Sequence, residues 1–401
     1  MGKKGFTKNK LLGIAGLGWM FDAMDVGILS FVLAAMAEDW GLTSSQIGLA
    51  GSINSIGMMA GAFLFGLMAD RKGRKFVFIL TLLLFSIGSG LSALTASFAV
   101  FLCLRFIIGM GLGGELPVAS TLVSETVEPH ERGRIVVLLE SFWAGGWIIA
   151  ALISYFIIPK YGWRAAMLIC TLPALYALYL RVGLPDSQQF TSVSKRKVSI
   201  WKQITEVWDK PHRQKTAMLW ILWFCVVFSY YGMFLWLPSV MVLKGYSLIK
   251  SFQYVFIMTL AQLPGYFTVA WLIERAGRKF VLVVYLMGTA VSAFFFGSAE
   301  SLGLLVVSGA FLSFFNLGAW GALYAYTPEQ YPAIMRGAGS GMAASAGRLG
   351  GVFGPLLIGS LVAEGVSTSS IFLIFCIAII IGALAVLLLG TETKQKKLDL
   401  M

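Results

Sequence analysis

The 401-residue chain is poor in charge, histidine and cysteine. Only 12% of its residues are Asp, Glu, Lys or Arg, against 58% hydrophobic, which excludes an ordinary soluble domain of this length. Its two histidines, His130 and His212, both fall in polar stretches. With no H-E-x-x-H, G-x-S-x-G or Walker loop, the chain lacks the residues of zinc proteases, serine hydrolases and ATP-driven pumps. No enzyme activity and no cofactor are expected. The four cysteines, Cys103, Cys170, Cys225 and Cys376, all lie in apolar runs and imply neither a disulfide framework nor a metal site. "GMGLGG" (109–114) satisfies G-x-G-x-x-G in letters only. A dinucleotide loop needs a strand before it. These glycines continue an apolar helix, so close helix packing is expected there, as at Gly57 and Gly61.

What is present is a series of apolar runs, each long enough to cross about 30 Å of hydrocarbon as a helix. Twelve are expected: 12–37, 47–69, 76–96, 98–121, 136–158, 164–183, 216–240, 251–273, 280–297, 302–326, 337–361 and 368–390. Backbone groups in lipid must be satisfied internally, so the fold class is an all-α membrane protein. The first run, behind Lys3, Lys4, Lys8 and Lys10, is too long for a signal peptide and lacks a small-residue cleavage site. The net charge of +12 does not point to nucleic acid. Of 31 Lys and Arg, 25 fall in the N-terminus, alternate loops and the C-terminus. By the positive-inside rule both termini are cytoplasmic, in a multi-pass protein of the cell membrane.

The longest polar stretch, 184–215, divides the runs six and six. The expected organisation is an amino half (1–183), a cytoplasmic linker (184–215) and a carboxyl half (216–401). Within the linker, Ile200, Trp201, Ile204 and Trp208 recur at helical spacing beside lysines. That suits an amphipathic helix on the membrane surface; a disordered basic linker is the other reading. The halves repeat each other. "LMADRKGRKFV" (67–77) aligns with "WLIERAGRKFV" (271–281) at an offset of 204, with six of eleven positions identical. At the same offset Glu125 meets Glu329 and Arg132 meets Arg336. Such duplication is a transporter architecture, with the substrate bound between the halves near mid-membrane.

"GLMADRKGRK" (66–75) resembles the signature loop of the major facilitator superfamily, and "RFIIGMGLGGELPVASTLVSETVEPHERGR" (105–134) resembles the fourth helix and following loop of its sugar-porter branch. "TETK" (391–394) is similar to that branch's tail motif, and "LPDSQQF" (184–190) to a degraded form of its motif after the sixth helix. "FDAMD" (21–25) is similar to the paired-Asp motif of aromatic-acid:proton symporters, with Ala23 in place of the usual Gly. The whole chain looks most like bacterial niacin permeases of this superfamily. The resemblance implies twelve helices in two pseudo-symmetric six-helix bundles. It also strengthens the reading of a cytoplasmic latch from Asp70, Arg71, Arg74, Glu125 and Arg132 in one half and Glu274, Arg275, Arg278, Glu329 and Arg336 in the other. Exposed ion pairs are worth only about 0.2–1 kcal/mol each, so a switch needs a network.

Two acids, Asp22 and Asp25, lie inside the first run three residues apart and so share a helix face. An ionised Asp there costs roughly 2.5–3.5 kcal/mol on insertion scales, so that face must point into the bundle. Arg105, in the fourth run, is the expected partner of Asp25, matching the acid and arginine of proton-coupled sugar porters. Protonation of Asp25 would loosen the pair. Asp22 is the second proton candidate and Glu115 a weaker one. In the carboxyl half Tyr231, Gln262, Asn316, Trp320 and Tyr324 suit a small, flat ligand with polar edges. Tyr230 belongs with them, while Trp236 reads better as packing. Arg348 needs an anion, and a substrate carboxylate would supply it. The alternative is that Arg348 reaches across to Asp22 or Asp25.

The expected function is a proton-coupled importer of a small aromatic monocarboxylate, nicotinate first and nicotinamide second, working by alternating access. The expected partners are that small molecule, protons and the lipid bilayer, with the chain a monomer. A sugar or polyol symporter is the runner-up, and a non-transporting nutrient sensor is the alternative of another class. A drug antiporter is less favoured, because the fifth run lacks the Gly-Pro pattern those proteins carry.

Overall fold

The computed structural model describes residues 8–72, 74–124, 132–176, 179, 205–332 and 336–394. The chain is an all-helical membrane protein of twelve transmembrane helices in two six-helix bundles. The amino half contains α1 (Lys8–Trp40), α2 (Ser44–Lys72), α3 (Arg74–Leu94), α4 (Phe98–Ser124) and α5 (Arg132–Ile169). The carboxyl half contains α6 (Arg213–Leu243), α7 (Leu248–Leu260), α8 (Gln262–Leu272), α9 (Arg278–Ser298), α10 (Leu302–Glu329), α11 (Arg336–Ala363) and α12 (Thr368–Leu389). Among the described residues, nine helical stretches are long and apolar enough to cross a membrane. Helix α4 adds a shorter apolar piece, Phe98–Gly114.

Two expected runs differ in form. The fifth and sixth are joined in α5, which continues past Pro159 and breaks only at Gly162, whose φ of 79° lies in the left-handed region that favours glycine. Helical structure resumes at Trp163, which places the second crossing just beyond the break. Residues 177–178 and 180–183 of that crossing lie outside the described residues. The eighth expected run is two helices, α7 and α8, meeting at Ala261. Pro264 causes the break: it has no N–H, and its ring would strike the carbonyl of Leu260 four residues back. The break starts α8 at Gln262, whose side chain is fully buried. Of the expected amphipathic linker helix, Ile200, Trp201 and Ile204 lie outside the described residues, while Trp208 follows a single helical turn at 205–207.

Within the amino half α1 packs along α5, and α2 along α4; within the carboxyl half α6 packs along α11, and α9 against α10 and α12. Glycines make the α2–α4 crossing close. A side chain at Gly57 would run into the Phe106 carbonyl, and one at Gly109 into the Asn54 carbonyl. Among the described residues the halves are joined chiefly where α2 meets α11, where α1 meets α6, and where α5 meets α7, α8 and α10. The α2–α11 seam is tightest away from the face where the chain ends emerge. There a Cβ on Gly48 would stand 2.6 Å from the Pro355 carbonyl oxygen, and one on Gly359 2.7 Å from that of Ser44. Ser52 Oγ donates to the Val352 carbonyl across the same seam at 2.6 Å. Only small residues allow backbones to meet in this way, and in lipid that packing replaces the hydrophobic driving force available in water.

Candidate functional site

Three polar groupings stand out in a body otherwise filled by apolar side chains. The first lies inside the amino half. Asp25 on α1 and Arg105 on α4 form an ion pair, Nη2 to Oδ2, at 3.2 Å, with side-chain exposures of 1% and 0%. Ser89 of α3 donates its hydroxyl to Asp25 Oδ1. The guanidinium also lies 5.8 Å from the centre of the Phe101 ring. Nε and Nη1 of Arg105 are buried with no hydrogen-bond partner among the described residues. Three helices thus hold one carboxylate. Breaking such a pair from one side leaves an uncompensated charge out of water.

The second grouping crosses the junction. Arg348 on α11 donates from Nη1 to the Tyr231 hydroxyl at 3.2 Å and lies 3.7 Å from the sulfur of Met58 on α2. Asp22 is close enough for its charge to act on both Arg348 and Tyr231. The two first-run acids therefore serve different places. Residues three apart are roughly 60° apart around a helix. That angle turns Asp25 toward α3 and α4 and Asp22 toward the opposite half.

The acid left out of the sequence reading is Glu140, eight residues into α5 and 1% exposed. It accepts a hydrogen bond from Trp19 Nε1 at 3.3 Å, and the charge of Arg348 reaches it. Arg348 was expected to lack an acid at its depth in its own half. The acids near it come instead from the amino half.

Around these charges lies an aromatic chamber drawn from both halves. Trp19 and Trp143 have ring centres 4.7 Å apart, Tyr230 and Trp320 4.8 Å, and Tyr230 and Tyr231 5.2 Å. Trp143 Nε1 donates to the Tyr230 hydroxyl at 2.6 Å and so ties α5 to α6. Tyr324 is 5.9 Å from Trp320 and 4.9 Å from Trp223. The hydroxyls of Tyr266 and Tyr324, near Glu140, are buried with no hydrogen-bond partner among the described residues, and so are both side-chain ends of Gln262 on α8 and Asn316 Oδ1 on α10. Buried polar groups are nearly always paired, so a cluster like this is suited to a polar ligand or water. Trp236 is buried in the core, as the packing reading of that residue has it.

The third grouping is on the face where the chain ends emerge. Arg278 holds Glu274 through Nη1 and Nη2, both at 2.9 Å, and Glu329 through Nε at 3.2 Å. The tail closes over it. Glu392 accepts from the backbone N–H groups of Arg278 and Lys279 at 2.9 and 3.1 Å, and Thr393 donates its hydroxyl to Glu329. Among the described residues Arg275 forms no ion pair in this cluster. Its guanidinium stacks on Trp271 at 4.1 Å, where the aromatic face competes with the carboxylates for the cation. The side chains of Asp70, Arg71, Arg74, Glu115, Arg132 and Arg336, and the whole of Glu125, lie outside the described residues.

Two helical bundles with charged groups buried at their junction are the architecture of secondary transporters. The chain belongs to the Major Facilitator Superfamily, whose family model matches residues 15–265 and 254–400. It is 64% identical over 400 residues to a Bacillus subtilis (strain 168) protein named as a niacin/nicotinamide transporter, NiaP, covering 100% of each. It is 44% identical over 417 residues to the niacin transporter NiaP of Acinetobacter baylyi (strain ATCC 33305 / BD413 / ADP1), covering 97% of this chain and 95% of that one. Among solved structures, a D-xylose-proton symporter superposes with a TM-score of 0.79 at 20% identity over 96% of this chain and 98% of that one. The inward open conformation of the xylose transporter XylE from E. coli gives 0.78 at 19% identity over 98% of each. These two likenesses carry the fold alone.

Proposed function

We propose that this chain is a proton-coupled importer of niacin, with nicotinate the preferred form, in the cell membrane and with both termini in the cytoplasm. The observation that carries the reading is Arg348, set at the junction of the halves beside Tyr231 and an aromatic chamber. A guanidinium there pairs a carboxylate through two parallel hydrogen bonds, and the flat ring rests among Tyr230, Trp320 and Tyr324. Gln262 and Asn316 offer hydrogen bonds to the ring's polar edge. The relatives named as niacin transporters support the choice of ligand.

Coupling follows from the amino half. Protonation of Asp25 removes the charge that holds Arg105, and the α1–α3–α4 junction then rearranges. Residues 1–183 and 216–401 act as the two rocking bodies, linked by 184–215, and the chain works as a monomer. A sugar or polyol symporter has only fold likeness in its favour, and a guanidinium beside an aromatic chamber suits an anion better.

The deciding experiment is uptake of radiolabelled nicotinate into proteoliposomes, with and without a pH gradient acid outside. Accumulation above the outside concentration, abolished by a protonophore, is the expected result. Uptake indifferent to the gradient removes proton coupling, and xylose outcompeting nicotinate restores the sugar reading.

A further inference from the structure

The chamber holds one basic and one acidic side chain, and the acid has no role in the account so far. Glu140 is buried on the chamber-facing side of α5, and Trp19 donates to Oε2. Trp143, on the same helix, lies one turn further on. From the opposite half, Tyr266 on α8, Tyr324 on α10 and Arg348 on α11 all lie close enough to interact electrostatically with Glu140. The hydroxyls of Tyr266 and Tyr324 are buried without a hydrogen-bond partner among the described residues, and the Trp320 indole interacts with the Glu140 carboxyl. The chamber is thus an aromatic box with a guanidinium and a carboxyl group on different helices of opposite halves.

We propose that Glu140 receives the ring nitrogen of a pyridine carboxylate whose carboxylate is taken by Arg348, and so selects that ligand over a benzene carboxylate. This rests on reading Arg348 as the carboxylate anchor. The charge of Arg348 reaches Glu140, so a ligand anion that pairs with Arg348 removes part of what compensates the acid. The buried carboxyl, held by Trp19 and by the Trp320 indole, then gains from a further partner. A ring nitrogen meta to the carboxylate supplies one in either proton arrangement. Protonated Glu140 donates its O–H to the neutral nitrogen, or ionised Glu140 accepts from a pyridinium N–H. The two arrangements differ only by one proton moved along one hydrogen bond, so the charge is conserved. Benzoate presents a C–H at that position and leaves the acid without that further partner. A site built around a hydrogen bond rejects the analogue that lacks the group, here by roughly tenfold or more. A purely structural Glu140, fastening α1 to α5 through Trp19, has no means of telling the two rings apart.

The test is competition by unlabelled nicotinate and benzoate for labelled nicotinate uptake in proteoliposomes. Wild type is compared with Glu140→Leu, Glu140→Gln and Arg348→Lys. Tryptophan-fluorescence titration of the purified variants with each ligand gives the same ratio where uptake is too slow to measure. Wild type is expected to prefer nicotinate about tenfold or more. Glu140→Leu should bring the two ligands within about threefold of each other. Glu140→Gln, whose amide still donates, should fall between. Arg348→Lys should weaken both acids together and keep their ratio. Equal competition by benzoate in wild type overturns the proposal, as does a Glu140→Leu variant that weakens both ligands by the same factor. If nicotinamide binds as well as nicotinate and Arg348→Lys changes nothing, the carboxylate-anchor reading fails instead. The nicotinate-to-benzoate ratio tells these failures apart.

Discussion

The two arginines inside the membrane-spanning helices solve the same problem in opposite ways. Arg105 is closed within one half: its partner Asp25 comes from a helix of the same bundle, and Ser89 completes the grip. Arg348 is open to the junction: its direct bond is to a neutral Tyr231, and the acids acting on it, Asp22 and Glu140, come from the other half. A closed pair loads and unloads only by a change in its own protonation. An open cation spanning a junction accepts an anion from outside and draws the two bodies together around it. We read the difference as placing proton chemistry in the amino half and substrate chemistry at the boundary.

The sharpest way to break that contrast is to neutralise the closed pair's acid. Asp25→Asn should abolish accumulation of nicotinate against its gradient while leaving counterflow exchange largely intact, because exchange needs only the loaded carrier to reorient. Concentrative uptake at the wild-type level in that variant would remove Asp25 from coupling and leave Asp22 or Glu140 as the proton site.

Truncating each arginine sharpens the comparison. Arg105→Ala leaves Asp25 buried without its cation, which costs roughly 3–5 kcal/mol. Arg348→Ala removes a hydrogen bond to a neutral hydroxyl, worth roughly 0.5–1.5 kcal/mol, together with a charge that acts on Asp22 and Glu140 without holding either in a described ion pair. Thermal unfolding in detergent should therefore fall much further for Arg105→Ala, whereas the half-saturating nicotinate concentration should rise tenfold or more for Arg348→Ala, the loss of one charge-assisted pair. Arg348→Ala taking up nicotinate with unchanged affinity would end its role as the anchor. Equal destabilisation by both would erase the closed-versus-open distinction.

The fold was legible because lipid leaves a chain few options: apolar runs must be helices, and the Lys and Arg bias orders them. The Asp25–Arg105 pair was legible for a related reason, since an acid and an arginine buried in one bundle each need the other. What stayed hidden was whatever depends on how one helix turns against another. Glu140 was passed over as a single acid diluted by the apolar letters of "LLESFWAGGW" (138–147). Its importance appears only when α8, α10 and α11 are set opposite it. The divergence of Asp22 from Asp25 is a matter of roughly 60° of helix rotation, which a spacing of three does not weigh. Arg275 was grouped with Arg278 by the repeat, and Trp271, four residues earlier, draws it away. The breaks at Gly162 and before Pro264 were visible as residue types, and their effect on where each helix ends was not.

The smallest expected effect concerns the carboxyl-half cluster, where the comparison can be drawn once more. Its described members, Glu274, Arg278, Glu329, Glu392 and Thr393, all belong to one half, as do those of the Asp25–Arg105 pair. Unlike that pair, it is partly exposed, with Glu274 at 38% and Glu329 at 14%. Solvent screening lowers the worth of each contact there. Thr393→Val keeps the shape of the side chain and removes one hydroxyl donor to Glu329, so the loss should be about 1 kcal/mol. For a chain of this size that is a fall of roughly 1–3 °C in the unfolding midpoint. Arg278 keeps both bonds to Glu274 in that variant, so the initial rate of nicotinate uptake should change by less than about threefold. A tenfold loss of uptake with an unchanged midpoint would reverse the assignment. It would mean that the tail's grip on Glu329 is made and broken in each transport cycle, and that the cluster is a latch rather than a fastening.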